Sequence, residues 1–416
     1  MKLLEPIQLS NLSLNNRMVM SAMTRSRADT NGVVGELTVL YYTQRVSAGL
    51  IITEAINISP QAIGSPLTPG LYTSAQMDAW KKVTDAVHAK GGRIVTQLWH
   101  TGRAGHSIDR QGERPVAPSA VAITGMQHFT SQGLKDYETP RALTVAEIHQ
   151  IVHDYGQAAK NALAAGFDGV ELHAANGYLS NQFLAESANR RTDAYGGSIP
   201  NKARFVLDVM AELIGAVGGE RVGIKLSPFH SYEDIVLDDP VATYTYLIEE
   251  LNHLDVADVE FMKRSPAFPA VPHYPDADEI ELFGPLAAPT VIANMGYGRA
   301  SGEAEVQKGI AQLISYSTLF LAKPDLPLRF AQRCLAQSTG SRQHVWRRSK
   351  GIHRLSGVSK LKNQSACRPR PKTVALRHSQ TITHDSRSCV SFMVLPHEKR
   401  LRLACMLPFK VALCQS

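Results

Sequence analysis

Along residues 17–317, short apolar runs alternate with longer stretches in which apolar side chains recur every three to four positions. The runs at 17–23, 49–55, 93–98, 169–174, 221–228, 257–262, 290–295 and 312–317 have strand length and are apolar almost throughout, the pattern of strands buried on both faces. Between them, helical periodicity covers 38–48, 75–89, 201–216, 240–253 and 301–308. Ser74 reads as the cap of the second of these stretches. Thr144 with Glu147 forms a capping box before a further helix to about Ala165, where Gly166 stops it. Residues 7–14 read as a hairpin. Eight β-α units suit an α/β fold of the (β/α)8 TIM barrel type better than an open doubly wound sheet, and the first βα turn lacks G-x-G-x-x-G.

Polar residues collect where the C-terminal ends of these strands should lie. Thr24 follows the first, Ala55 closes the second, Gln97 and Trp99 end the third, and Lys225 lies in the fifth. After the fourth comes the stretch from Glu171 through His173 and Asn176 to Tyr178. Alone, H-x-x-N is more often a local turn than a site. In a barrel, the same residues sit where active sites are built, as two neutral donors for a ligand oxygen beside a phenol that can supply a proton. Gln97 could equally bond a neighbouring strand, and Lys225 could pair with a carboxylate. The Pro-, Gly-, Ser- and Thr-rich segment 102–143 is too long for an ordinary loop and is read as shaping a substrate entrance, the alternative being a plain surface excursion.

Composition divides the chain. Residues 333–416 hold 17 of the 44 Lys and Arg, all five Cys, and only two of the 37 Asp and Glu, so the formal +7 of the whole chain conceals an acidic residues 1–332. We read 1–332 as the barrel and 333–416 as a basic, Cys-containing tail, expected to be disordered because it has no periodic apolar pattern. The barrel region has no Cys for a disulfide framework or a cysteine-ligated metal, and the tail has no C-x-x-C; no metal is expected. The tail also lacks aromatic interleaving, which argues against a nucleic-acid partner. With no apolar run of about 18 residues and no signal-like start, a cytoplasmic protein without a membrane partner is expected.

Six motifs in order carry a family resemblance: MSAMTRSRA at 20–28, QLWHTGR at 97–103, HAANGY at 173–178, NQFL at 181–184, RTDAYGGS at 191–198 and KLSP at 225–228. Residues 1 to about 332 resemble the old yellow enzyme family, particularly its N-ethylmaleimide reductase-like branch. The resemblance implies an FMN-binding barrel that reduces activated alkenes with NADH or NADPH, acting on a small-molecule substrate as a monomer or homodimer. It implies that His173 and Asn176 donate to the substrate's carbonyl or nitro oxygen and that Tyr178 protonates the α-carbon. It places Ala22, Met23, Thr24, Ala55, Gln97 and Lys225 against the flavin, and Met295, Gly296 and Thr318 toward its phosphate.

The chain departs from the family pattern at several points. Lys225 stands where Arg is common, keeping the charge without the bidentate fork. Tyr316-Ser317-Thr318 stands where Phe-Gly-Arg is usual, Met295-Gly296 where Gly-Gly is frequent, and the family's C-terminal segment is missing. Residues 344–356 can be encoded by a string that, read one nucleotide later, gives Met-Tyr-Gly-Gly-Gly-Ala-Lys-Gly-Tyr-Thr-Asp-Tyr, an ending like the family's. A frameshift near residues 332–334 accounts for this and for the change in composition, and sequencing the gene across that junction tests it. The alternative functional reading is an impaired family member that retains FMN poorly.

Overall fold

The alternating pattern becomes a closed ring of eight parallel strands among the described residues: β1 (Met18–Met20), β2 (Leu50–Ile52), β3 (Ile94–Trp99), β4 (Gly169–Ala174), β5 (Val222–Leu226), β6 (Asp258–Met262), β7 (Thr290–Asn294) and β8 (Leu313–Tyr316). Each strand pairs in parallel with the next, and β8 closes on β1 through Ile314 opposite Met18 and Ser315 opposite Val19. The computed structural model describes residues 1–268 and 270–332. The tail at 333–416, with its expected disorder and frameshift, lies outside the described residues.

Several strands are shorter than their apolar runs. Residues 17–23 yield only Met18–Met20, because Ser21, Ala22 and Met23 leave the ladder to enter the barrel mouth while remaining buried. Burial, which the run records, thus extends past the hydrogen-bonded strand.

Among the described residues the strands are connected or flanked by α1 (Glu36–Thr43), α2 (Ser74–His88), α3 (Val145–Ala164), α4 (Ile199–Val217), α5 (Pro240–Leu251), α6 (Glu279–Phe283) and α7 (Arg299–Lys308), with three further short helices at Leu179–Leu184, Thr318–Ala322 and Leu326–Ala331. The predicted Thr144–Glu147 capping box starts α3, and Gly166, at φ 84°, follows its end. The cap of α2 is corrected by one residue: Thr73 accepts from Gln76 N–H, and Ser74 is already helical. α1 stops at Thr43 rather than 48, where Arg45 turns inward to donate to the carbonyls of Tyr41, Phe320 and Leu321. Ile148, Ile151, Tyr155, Ala158, Ala159 and Ala162 form the buried stripe of α3, which packs along α4.

The predicted hairpin exists, with Ile7–Leu9 antiparallel to Leu12–Leu14. Leu9 and Leu14 pack against Val19, Leu50, Ile52, Val95, Ile292 and Leu313 inside the ring, plugging its N-terminal end. Each such leucine contributes roughly 1.5–3 kcal/mol by burial. The plug leaves the C-terminal ends of the strands as the open mouth.

Candidate active site

β4 delivers His173 to the mouth, and the turn after it is held rigidly. Asn176 and Gly177 are both left-handed, at φ 57° and 82°. A Cβ on Gly177 would come within 2.4 Å of Glu233 Cβ, so close approach as well as conformation demands glycine. Two side chains of the NQFL motif clamp this turn. Asn181 Oδ1 accepts from Gly177 N–H at 3.0 Å, and Gln182 Nε2 donates to Gly177 O at 2.7 Å and Thr101 O at 3.0 Å. Asn176 N–H donates to Ser227 Oγ after β5, at 3.0 Å.

Three rings converge above this turn. The imidazole of His173 is stacked with Trp99 at 6.4 Å between centroids, and Tyr178 meets His173 edge-on at 5.0 Å and Trp99 at 4.7 Å. Burial holds the His173 pKa well below the usual histidine range, and the Lys225 charge pushes it further down, so the ring is neutral at physiological pH. His173 Nδ1, Trp99 Nε1 and His230 Nε2 are buried and have no hydrogen-bond partner among the described residues. Unpaired buried nitrogens are costly in a closed fold, and a ligand at this mouth accounts for them.

The insertion at 102–143 reaches this site. It carries a hairpin, Gln127–Thr130 with Gly133–Asp136, and its Ile123 and Tyr137 pack in one apolar cluster with Ala55, Trp99 and Tyr178. Tyr137 donates to Glu233 Oε1 at 2.7 Å, tying the insertion to the loop after β5. The insertion is thus packed against the candidate site rather than being a plain surface excursion.

Gln97 and Lys225 lie deeper, and both point at carboxylates. Gln97 Nε2 donates to Glu171 Oε1 at 2.7 Å, and Lys225 Nζ is 2.9 Å from Glu260 Oε1. Both alternatives considered from the sequence, a cross-strand bond and an ion pair, are thus realised. Ala22, Met23 and Ala55 are buried at the ends of β1 and β2, while Thr24 is half-buried. Met295 and Gly296 lie across the ring in the loop after β7, at φ 90° and 80°, and Thr318 is exposed after β8.

The catalytic candidates and the ring-facing candidates thus surround one mouth, with the phosphate candidates on its β7–β8 side. These residues fit FMN in kind: unpartnered buried donors at one side, a buried cation below, and a left-handed backbone turn whose N–H groups suit an anion. Thr318 can donate a hydrogen bond to a phosphate but supplies no charge.

Several buried groups escaped the sequence reading. Glu54, beside Ala55, is buried, and its pKa is pushed up to about 7 by burial despite a hydrogen bond from Arg25 N–H at 2.9 Å. Asp258 and Glu260 sit at alternating inward positions of β6; charged residues two apart within an apolar run were the available signal. His230, Tyr232 and Phe268 pack ring to ring in the loops after β5 and β6, a contact between distant segments that no local pattern marks.

Residues 2–337 match the model of the NADH:flavin oxidoreductase / NADH oxidase family. The 12-oxophytodienoate reductase 1 of Oryza sativa subsp. japonica is 41% identical over 339 residues, 79% of this chain and 85% of that one. The 12-oxophytodienoate reductase 2 of Arabidopsis thaliana is 37% identical over 341 residues, 79% and 88% of the two chains. Among solved structures, the old yellow enzyme homologue from Zymomonas mobilis superposes with a TM-score of 0.81 at 36% identity, covering 85% of this chain and 99% of that one. Morphinone reductase does so with a TM-score of 0.81 at 40% identity, covering 88% and 98%. A conjunction of closed barrel, mouth chemistry and similarity along nearly all described residues makes this chain a member of the old yellow enzyme family, the FMN-dependent NAD(P)H oxidoreductases.

Proposed function

We propose that this enzyme reduces the C=C bond of α,β-unsaturated carbonyl compounds and maleimides, and also accepts nitro compounds, with NADH or NADPH as the electron source. The observation that carries this reading is the buried, neutral His173, which has a ring nitrogen without a partner and is packed edge-on against Tyr178. The relatives named as reductases of 12-oxophytodienoate and morphinone support a carbonyl-bearing substrate.

FMN, when bound, would supply hydride chemistry toward the alkene's β-carbon, with NADH or NADPH as the source. His173 and Asn176 donate to the substrate oxygen. Because both are neutral, they stabilise charge that develops during reaction without binding anions indiscriminately. Tyr178 holds a phenolic proton for the α-carbon, and a phenol of pKa about 10 is acidic enough to protonate a carbanion. Trp99, Ile123 and Tyr137 keep water from the same space. Ala22, Met23, Thr24, Ala55, Gln97 and Lys225 would hold the flavin ring, while the backbone of Met295 and Gly296, with Thr318, would hold its phosphate.

The test uses protein prepared with FMN. NADPH should bleach the flavin and N-ethylmaleimide or a cyclic enone should restore its colour, whereas a bleached flavin that such acceptors leave unchanged refutes the reading. A second reading, weak FMN retention, draws on the exposed, uncharged Thr318; protein that stays colourless when incubated with FMN supports it. Within the leading reading the enzyme works in the cytoplasm as a monomer or homodimer, which size-exclusion chromatography of the holoprotein checks. Among the described residues no helix is long and apolar enough to cross a membrane, and no cluster of His, Cys, Asp and Glu is suited to a metal.

A further inference from the structure

The barrel's inner cation is not free to face a cofactor alone. Lys225 Nζ lies 2.9 Å from Glu260 Oε1, with side chains 3% and 0% exposed. Lys225 also donates to Ser21 Oγ at 3.4 Å, and Asn294 Nδ2 donates to the same oxygen at 3.1 Å. Among the described residues no group donates a hydrogen bond to either Glu260 carboxylate oxygen, so the Lys225 ammonium at 2.9 Å is what faces its charge. An ionised carboxylate in such a place requires its cation, so Glu260 and Lys225 form a unit.

Two more carboxylates face this pair. Burial and the Glu260 charge hold the Glu171 pKa well above the usual range, and the same two causes push Asp258 up to about 7. Both shifts favour the protonated carboxyl beside the Lys225–Glu260 pair. A lone ammonium presents a monopole to whatever binds above it. With a carboxylate at 2.9 Å it presents a dipole, whose field weakens faster with distance.

We infer that Glu260 is a positioning residue that acts through Lys225 to lower the reduction potential of the bound flavin, by offsetting the cation that would otherwise stabilise the reduced, anionic form. This rests on the placement of Lys225 against the flavin under the proposed function. The cation's influence is thereby set by a carboxylate on the neighbouring strand β6, opposite Lys225 in the β5–β6 register.

The experiment is a spectroscopic determination of the flavin midpoint potential in the FMN-loaded full chain. Glu260→Gln should raise it, tightening reduced FMN relative to oxidised FMN about tenfold, which for a two-electron couple is about 30 mV. Glu260→Asp keeps the charge but lengthens the pair, and should shift the potential in the same direction by less. That variant serves if the unpaired lysine of Glu260→Gln prevents folding. Lys225→Met should lower the potential, and Glu260→Gln should add little in that background, since Glu260 acts through Lys225. An unchanged potential in the folded Glu260 variants alongside a lowered one in Lys225→Met overturns the inference and leaves the site reading intact. An unchanged potential in Lys225→Met removes the cation from the flavin's field and overturns both.

Discussion

The two ends of the barrel are built from the same eight strands and from opposite chemistry. At the N-terminal end, Val19, Leu50, Ile52, Val95, Ile292 and Leu313 meet the leucines of the hairpin in a dry plug. Two residues further along β3 and β7, Gln97 and Asn294 line the interior, as His173 and Lys225 do on β4 and β5. The difference follows from what each end must do. A ring of strands has no free edge, so its ends are the places where it must be filled or used. The hairpin fills one end with side chains that need no partners; the other retains buried donors whose partners must come from a ligand.

The largest effect expected from this contrast is at the mouth. Replacing His173 or Asn176 by Ala should lower turnover of an enone about 10²–10³-fold, the loss seen for one oxyanion donor, with Asn176→Ala also losing some stability because its φ of 57° disfavours alanine. Tyr178→Phe should slow reoxidation of reduced flavin by an enone by about 10²-fold or more while leaving reduction by NADPH intact. Rapid mixing of each half-reaction checks this, and equal loss in both removes Tyr178 from the proton-donor role. At the plugged end the pattern should invert. Leu9→Ala should cost about 2–5 kcal/mol of stability in urea, and turnover per folded molecule should hold.

A smaller effect depends on pH. Asp258 is held at about 7 in the fold, against an ordinary aspartate value of 3.8. The folded protein keeps that proton where the unfolded chain releases it, so this contribution is complete below about pH 4 and lost as pH rises through 7. Asp258→Asn should flatten the fall in urea midpoint across that window. At the mouth, Glu54→Gln should act likewise between about 4.5 and 7. The smallest effect is at the insertion: Tyr137→Phe loses the bond to Glu233 and should raise KM several-fold, a change on the order of 1 kcal/mol, with kcat nearly intact. A fall in kcat alone would place Tyr137 in the chemistry rather than the entrance.

Much of this contrast was legible before any coordinates. Eight apolar runs specified the ring because each strand is buried on both faces and so leaves an unbroken signature. His173, Asn176 and Tyr178 were legible as candidates less from the local pattern, which a plain turn also gives, than from their place after an apolar run in a series of eight. Asp258 and Glu260 were not, since an apolar run with two acids reads equally as a poor strand until its inward face is known. The ring contacts of His230, Tyr232 and Phe268, and the tie from Tyr137 to Glu233, join segments that only the closed barrel brings together. The exact cap of α2 was missed by one residue because Thr73 and Ser74 are both good caps, and only the Gln76 side chain chooses between them.

The hairpin plug also constrains the order in which the molecule can be made. Leu9 and Leu14 gain their neighbours Ile292 and Leu313 from nearly three hundred residues downstream, and the backbone N–H groups of Lys2 and Leu3 donate to Glu303 of α7. A hairpin synthesised long before β7 and β8 is therefore among the last segments to find its place. Until β7 and β8 have been synthesised, its leucines remain exposed to solvent and to other chains, and contacts of such separation form slowly. Ring closure and plugging must then occur together, so the step that seals the bottom of the barrel is the same step that completes the β7–β8 side of its mouth.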